Sequence, residues 1–440
     1  MNKLLDKIGL ALETYWHLLP AITRQFAPEK IASIQNTKLQ TLIHYSFNNI
    51  KYYKEIFEQT GIRPEQIRTT EDLRKIPILT KEELRNRFWD FLPRQLPPCR
   101  VSRTSGSTGI PVCLLSDRTS RIFNSVAVIR YRMSLGIQII GRPILTPLKT
   151  IDGPCYKKPH WTLLQGIHKT YYINPYIDSS ENTEYVGKLL TKLKKPAIMG
   201  ITTAIKALAY KVRDGIFPPF LPCAILTTGE VLTPEVRNLL ESTFHTTVTD
   251  IYACNEAGDI AWQCRETLGY HINAENVIVE IVRNNRSVAE EETGEVVITN
   301  LNRFAMPIIR YKNGDLARLT HQPCPCGCKL PMIAEIIGRA GEDISLPCGK
   351  TIPWNQLKSS MNHPHIRQFQ LIQDDKGNLK IRYVPEEGVD TKPVEELLLY
   401  RYRNLLGSSI EIAIEKTAKI APAPSGKSKL VISHYNKPAK

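Results

Sequence analysis

Apolar positions near the start of the chain recur at helical intervals. Ile31, Ile34, Leu39, Leu42 and Ile43 mark one face, and residues 81–88 carry a further short helical pattern. The first 90 residues are therefore expected to be helical. From Val101 to Ile298 the pattern changes. Short apolar runs at 112–115, 143–147, 197–199 and 224–226 read as strands and alternate with helical stretches. The last of these runs leads into Thr227-Thr228-Gly229-Glu230. A helix is then predicted with Thr233 as N-cap and Pro234 at its first position. Leu232, Val236, Leu239, Leu240 and Phe244 supply its apolar face. This alternation predicts an α/β fold with mixed, mostly parallel sheets, whose ligand loops gather at strand ends. Residues 277–282 and 295–299 are β-rich, with Asn284-Asn285 as a turn between them. Near Gly338 a new unit begins. It holds strands at 369–372 and 379–384, a turn at 374–378, a helix at 394–406, and strands near 410–414 and 430–433. The predicted division is a large N-terminal domain, residues 1–338, and a small α+β C-terminal domain, residues 339–440.

Composition narrows the class. The chain has 440 residues, of which 42% are hydrophobic, enough for a substantial core. No run reaches the roughly 18 apolar residues of a membrane span. Asp6 and Glu13 interrupt the opening apolar stretch, so no signal peptide is expected and a cytoplasmic protein is the simplest reading. Net charge is +15, and every charged residue from 416 onward is a lysine. That balance favours anionic partners, or simply a basic solvated surface.

Two local patterns carry chemistry. Residues 104–111 read Thr-Ser-Gly-Ser-Thr-Gly-Ile-Pro, three hydroxyl residues and two glycines ahead of a strand, after a leading threonine. Glycine lets backbone N–H groups converge on an anion, and hydroxyls add donors, which suits a polyphosphate. The Walker pattern is excluded, because no lysine follows Gly109. The second pattern is cysteine. Cys99, Cys113, Cys155, Cys223 and Cys348 are scattered, whereas Cys324, Cys326 and Cys328 fall within five residues. With Cys264 and His271 upstream, Cys324 and Cys326 complete a Cys₃His set of the kind that holds structural zinc. Cys328 competes with Cys326 for that place, and Cys254 is near enough in sequence to enter.

Further motifs follow the Ser/Gly loop in order: Thr228-Gly229-Glu230, Tyr252-Ala253-Cys254-Asn255-Glu256, Tyr311-Lys312-Asn313-Gly314-Asp315, Gly338-Arg339 and Pro424-Ser425-Gly426-Lys427. Together they resemble the adenylate-forming superfamily. Lys51-Tyr52-Tyr53-Lys54, Asp72-Leu73, Ile76-Pro77-Ile78-Leu79-Thr80-Lys81 and Cys-Pro-Cys-Gly at 324–327 look most like its phenylacetate–CoA ligase and CapK-like branch. The resemblance implies a large adenylation domain with a small mobile lid. It implies activation of a small carboxylic acid by ATP with Mg²⁺, and transfer to CoA. Ser105, Gly106, Ser107, Thr108 and Gly109 would hold the β- and γ-phosphates. Glu256 would ligate Mg²⁺ or position its phosphates. Gly229 and Glu230 would line the adenine pocket, and Tyr252 would stack on adenine. Asp315 would accept from both ribose hydroxyls, and Arg339 would contact ribose or phosphate. Lys427 would be the adenylation lysine, with Lys429 as runner-up. The branch often carries the Cys264, His271, Cys324, Cys326 pattern, hence a structural Zn²⁺.

One departure bears on the second half-reaction. After Gly338-Arg339 the relatives usually carry two acidic residues, but this chain reads Ala340-Gly341-Glu342-Asp343, which aligns Gly341 with the pivot. Glycine accepts the φ/ψ changes of rotation. An amine, hydroxyl or carrier-protein thiol as acceptor therefore stays open beside CoA. A homodimer is among the assemblies the chain allows. A zinc-knuckle nucleic-acid-binding protein is a remote reading, since the chain lacks an aromatic platform or a nucleic-acid fold signature. Neither a nucleic-acid partner nor a membrane span is expected.

Overall fold

The computed structural model describes residues 2–103, 112–148, 160–177, 179–266, 268–288, 291–339, 344–352, 356–357, 360–361, 365–421 and 430–435. Ser105, Gly106, Ser107, Thr108 and Gly109, the hinge candidate Gly341, and Lys427 with Lys429 lie outside these described residues. The fold is α/β. The chain divides into two compact units, Met1–Leu232 with Leu239–Ile336, and Thr233–Asn238 with Ile337–Lys440.

The larger unit opens with the expected helices, Asn2–Arg24, Pro28–Asn49, Lys51–Thr60 and the short Lys81–Asn86. Thr80 caps the last one: its hydroxyl accepts from Glu83 N, and the Glu83 carboxylate reaches back to Thr80 N at 2.9 Å. These helices do more than cover the sheet. Tyr53 is 1% exposed, and its hydroxyl donates to Pro307 O at 3.1 Å and accepts from Ile309 N at 3.0 Å. Leu79 pairs by backbone with both flanks of Tyr311, accepting from Lys312 N and donating to Arg310 O, each at 2.9 Å. Burying each such large side chain contributes roughly 1.5–3 kcal/mol. The helical segment thereby fixes the start of the strand that carries Asp315.

Among the described residues, one sheet of 13 strands runs through this unit. Parallel pairing joins His168–Ile173, Ile144–Pro147, Ala197–Ile201, Ala224–Thr228 and Val248–Cys254, in that spatial order. Their apolar centres, such as Leu145, Ile198, Ile225 and Val248, are fully buried, as expected for strands covered on both faces. Past Val248–Cys254 the neighbours turn antiparallel, with Gly258–Gln263, Tyr270–Ile272 and Met332–Arg339 following. The strand Val248–Cys254 thus stands where parallel pairing gives way to antiparallel. The predicted helix is Pro234–Phe244, and the Thr233 hydroxyl accepts from Val236 N at 3.3 Å. Asn284 and Asn285 both take positive φ, 52° and 61°, and close a two-residue hairpin between Val277–Arg283 and Arg286–Ser287.

Among the described residues, the smaller unit has a four-stranded sheet in the order Ile412–Lys416, Leu379–Pro385, Ile366–Gln373, Val431–Ser433. The helix Lys392–Leu406 buries Val394, Leu398 and Tyr402 against Leu371, Ile381 and Tyr383. The predicted turn is built by Asp374, whose Oδ1 accepts from Lys376 N at 2.9 Å and Asn378 N at 2.8 Å.

Candidate active site and metal centre

Of the sequence-predicted residues, Gly229, Glu230 and Glu256 follow the carboxyl ends of parallel strands. Gly229 and Glu230 follow Ala224–Thr228, and Gly229 takes φ +80°, which a side chain would resist. The Glu230 carboxylate accepts from Thr203 N at 2.8 Å and from the Thr203 hydroxyl, at the start of the helix Thr202–Arg213. An acid at a helix N-terminus meets orphan N–H donors and the positive end of the dipole. Glu230 therefore braces two neighbouring strand ends.

Glu256 lies in the tight turn between Val248–Cys254 and Gly258–Gln263. Gly258 permits the turn. Its φ is +79°, and a Cβ there would meet Asn124 Oδ1 at 2.3 Å. Glu256 is 8% exposed, and its Oε1 accepts from the Tyr311 hydroxyl at 3.0 Å. Its place at the switch from parallel to antiparallel pairing is where ligands bind in open α/β sheets.

Asp315 owes its position to a bulge. In the pairing of Gly294–Asn300 with Tyr311–Thr320, Asn313, Gly314 and Asp315 lie opposite Val296 alone. Gly314 takes φ +84° inside that bulge. A bulge re-aims a side chain away from the ladder, and glycine supplies the backbone conformation it needs. Asp315 is 9% exposed. Its Oδ2 accepts from the Tyr252 hydroxyl at 2.7 Å and from Asn313 Nδ2 at 2.7 Å. Asn313 Nδ2 also donates to the Tyr252 oxygen at 2.7 Å, and Asn313 Oδ1 accepts from Asp315 N at 3.0 Å. Burial, reinforced by the Asp315 charge, pushes the Tyr252 phenol well above its ordinary range, so it stays a donor. Residues singled out from separate motifs, Tyr252 with Asp315 and Tyr311 with Glu256, thus meet directly. Three roles were not legible in the motifs: Asn313 as the clamp on Asp315, Tyr311 as the donor to Glu256, and Thr203 as the partner of Glu230. Only Asn313 had a local signal, standing two residues before Asp315. Arg339 ends the strand Met332–Arg339 in the smaller unit.

The cysteine pattern also assembles. Cys264 follows the strand Gly258–Gln263, and His271 lies on Tyr270–Ile272, whose neighbour across the ladder is Met332. The loop between Tyr311–Thr320 and Met332–Arg339 carries the remaining thiols. Ligand atoms of Cys264, His271, Cys324 and Cys326 all lie within 4.8 Å of one another. Cys264 and Cys324 sulfurs are 3.5 Å apart, and Cys326 Sγ is 3.3 Å from His271 Nε2. Zn–S bonds of about 2.3 Å in a tetrahedron place sulfurs about 3.8 Å apart, so the set fits zinc after small adjustment. Burial holds His271 neutral, its value lowered to about 4, and neutral imidazole is the ligand form. The geometry decides between the competing thiols. Cys328 points to Gln25 O at 3.8 Å, while its N–H donates to Cys326 Sγ at 3.5 Å. Cys254 is half-buried near Glu256, and desolvation together with the Glu256 charge pushes its thiol up.

Set beside known proteins, residues 349–434 match the CapK C-terminal domain family. The chain is 24% identical over 435 residues to Protein CapK of Staphylococcus aureus, covering 95% of this chain and 92% of that one. It is 24% identical over 429 residues to the phenylacetate–coenzyme A ligase of Thermus thermophilus, covering 90% and 93%. Over most of its length the chain is thus similar to CapK and to the phenylacetate–coenzyme A ligases. Its fold is shared with 2-hydroxyisobutyryl-CoA ligase, solved in the postadenylation state with an acyl-AMP, at TM-score 0.75 and 19% identity over 92% of this chain and 90% of that one. The resemblance read from the ordered motifs is thereby borne out. Among the described residues, no helix is long and apolar enough to cross a membrane.

Proposed function

We propose that the chain is an ATP-dependent, AMP-forming acid–CoA ligase. A carboxylate oxygen attacks the α-phosphate of ATP and pyrophosphate leaves. The CoA thiol then attacks the acyl carbonyl, giving a thioester, and AMP leaves. The observation that carries this reading is the network of Tyr252, Asn313 and Asp315 beside Glu256 and Tyr311, at the carboxyl end of the last parallel strand. The activities of the similar CoA ligases agree with it.

The residues divide the work. Asp315, fixed by two donors on Oδ2, is the acceptor for ribose hydroxyls. Glu256 is the carboxylate for Mg²⁺, which when bound neutralises phosphate charge. Gly229 and Glu230 shape the adenine pocket, with Tyr252 as its aromatic wall. Residues 104–111, with Thr108, cradle the phosphates, and Arg339 contacts ribose or phosphate. Lys427 supplies the mobile positive charge that stabilises the adenylation transition state. Cys264, His271, Cys324 and Cys326 hold a structural zinc, whose closed four-ligand set leaves no position for a substrate. The free cysteines among the described residues suit a reducing cytoplasm.

The test is AMP release against a panel of carboxylic acids, with and without CoA, read by mass spectrometry. Acid-dependent AMP with a CoA thioester is the expected result. AMP release with no thioester would move the acceptor to an amine, a hydroxyl or a carrier thiol. Salt-sensitive nucleic-acid binding without ATP turnover would replace the reading altogether.

A further inference from the structure

Arg303 is a buried cation that none of the motifs contains. It is 4% exposed. One guanidinium nitrogen, Nη1, donates to Glu256 O at 2.8 Å. The other, Nη2, donates to Ser116 Oγ at 2.8 Å and to Asn255 O at 3.3 Å. Ser116 ends the strand Cys113–Ser116, directly downstream of the Ser/Gly residues 104–111. The next residue, Asp117, ties the same segments again: its Oδ2 accepts from Phe304 N at 2.6 Å and Ala305 N at 2.7 Å, while Oδ1 caps the following helix through Ser120 N at 2.8 Å.

Three segments therefore meet on one guanidinium: the end of the strand Cys113–Ser116, the Glu256 turn, and the stretch leading to Tyr311. We propose that Arg303 is a positioning residue that locks the Glu256 turn against the end of the strand Cys113–Ser116, so that Glu256 is held where it meets the phosphates of a bound nucleotide. The proposal rests on the reading of Glu256 as the metal and phosphate side of a nucleotide site. Its chemistry follows from the fork. A planar guanidinium reaches acceptors on separate segments at fixed angles, whereas a lysine presents one point charge. The buried charge is offset by Asp117 and Glu256, which oppose the effect of its burial. Removing the fork leaves Glu256 O, Asn255 O and Ser116 Oγ without their shared donor, and frees the turn to move relative to the strand.

The test is calorimetric binding of ATP with Mg²⁺ to wild type, Arg303→Lys and Ser116→Ala, with thermal melting of each. Arg303→Lys is expected to weaken ATP·Mg²⁺ binding about tenfold or more, the scale of one lost charge-assisted hydrogen bond. Ser116→Ala is expected to weaken it in the same direction by a smaller factor while melting close to wild type. If acid turnover is available, the half-saturating ATP concentration should rise while that of the acid stays put. A brace of purely structural role would lower the melting temperature and leave nucleotide affinity of the folded fraction unchanged. That result in both variants overturns the proposal. Should Arg303→Lys fail to fold, Ser116→Ala decides alone. Wild type that binds no ATP·Mg²⁺ would overturn the nucleotide-site reading itself, a failure distinct from equal binding by all three proteins.

Discussion

Around Asp315, oxygen and nitrogen groups satisfy one another. Tyr252 and Asn313 both donate to one carboxylate oxygen, and Tyr311 donates to Glu256. Around Cys324, three thiols and an imidazole meet within 4.8 Å. All four are electron-pair donors, so as ligands they need a cation to hold them together. Both clusters sit in the same unit and share the antiparallel part of the sheet. The first is a preorganised acceptor whose internal bonds fix where an incoming hydroxyl will find its partner. The second gains its order from what it binds. The difference teaches where each change should register. Disturbing the oxygen network should cost ligand affinity with little loss of fold, while disturbing the thiol set should cost fold first and activity through it.

The largest effect is expected where charge moves during the reaction. Lys427→Ala should slow adenylate formation by about 100-fold or more, the scale of losing one preorganised stabilising group. Thioester formation from presynthesised acyl-adenylate should survive. Near-normal pyrophosphate release by the variant would reject Lys427 and point to Lys429.

Next comes the metal set. Elemental analysis of protein purified without chelator should find about one zinc per chain. Chelation, or Cys264→Ser, should lower the melting temperature markedly, since metal affinity is coupled to folding. Metal-free protein of full stability and activity would erase the contrast drawn above, leaving ordinary reduced thiols.

Asp315→Ala should then show the opposite signature. ATP affinity should fall by about tenfold or more, as charge-assisted hydrogen bonds to ribose are lost. The melting temperature should change little, because the bulge at 313–315 is held by its backbone and by Asn313. Unchanged ATP affinity in a folded variant would remove Asp315 from the site.

The last effect is a pH dependence of stability at Lys38. The Lys38 ammonium donates to Glu275 O at 2.8 Å and lies 3.5 Å from the Phe123 ring centroid. Burial lowers its value from 10.5 to about 7, with Glu275 opposing and Arg24 and Arg130 adding to the shift. The folded value lies below the unfolded one, so between these limits the unfolded chain binds more protons. Stability from this group therefore rises with pH across that window, and is lowest below pH 7. Thermal melts from pH 6 to 9 should show this rise in wild type relative to Lys38→Met; parallel profiles would refute it.

How much of this was readable in the chain follows from what each feature depends on. The helical start, the Thr233–Pro234 cap and the turn at Asp374 are local, and periodicity or capping chemistry revealed them. The ordered motifs singled out Glu256 and Asp315, and Glu256 follows a parallel strand, where the ligand loops of an α/β sheet gather. The bulge at 313–315 was not readable, since it exists only in register with the strand that carries Val296. Arg303 was invisible for the same reason: its acceptors lie on two other segments of the chain. The tetrad read from the sequence, with Cys326 in it, is the one whose ligand atoms converge, while the competing Cys328 sulfur points to Gln25 O.

The central claim is that the network around Asp315 and Glu256 serves acid activation by ATP. Exchange of labelled pyrophosphate into ATP, run with a panel of carboxylic acids on wild type and Asp315→Ala, tests it most directly. The account predicts acid-dependent exchange in wild type that falls at least tenfold, by about 1.4 kcal/mol or more, in the variant at limiting ATP. Exchange that no acid in the panel supports, or exchange equal in the two proteins, would contradict it.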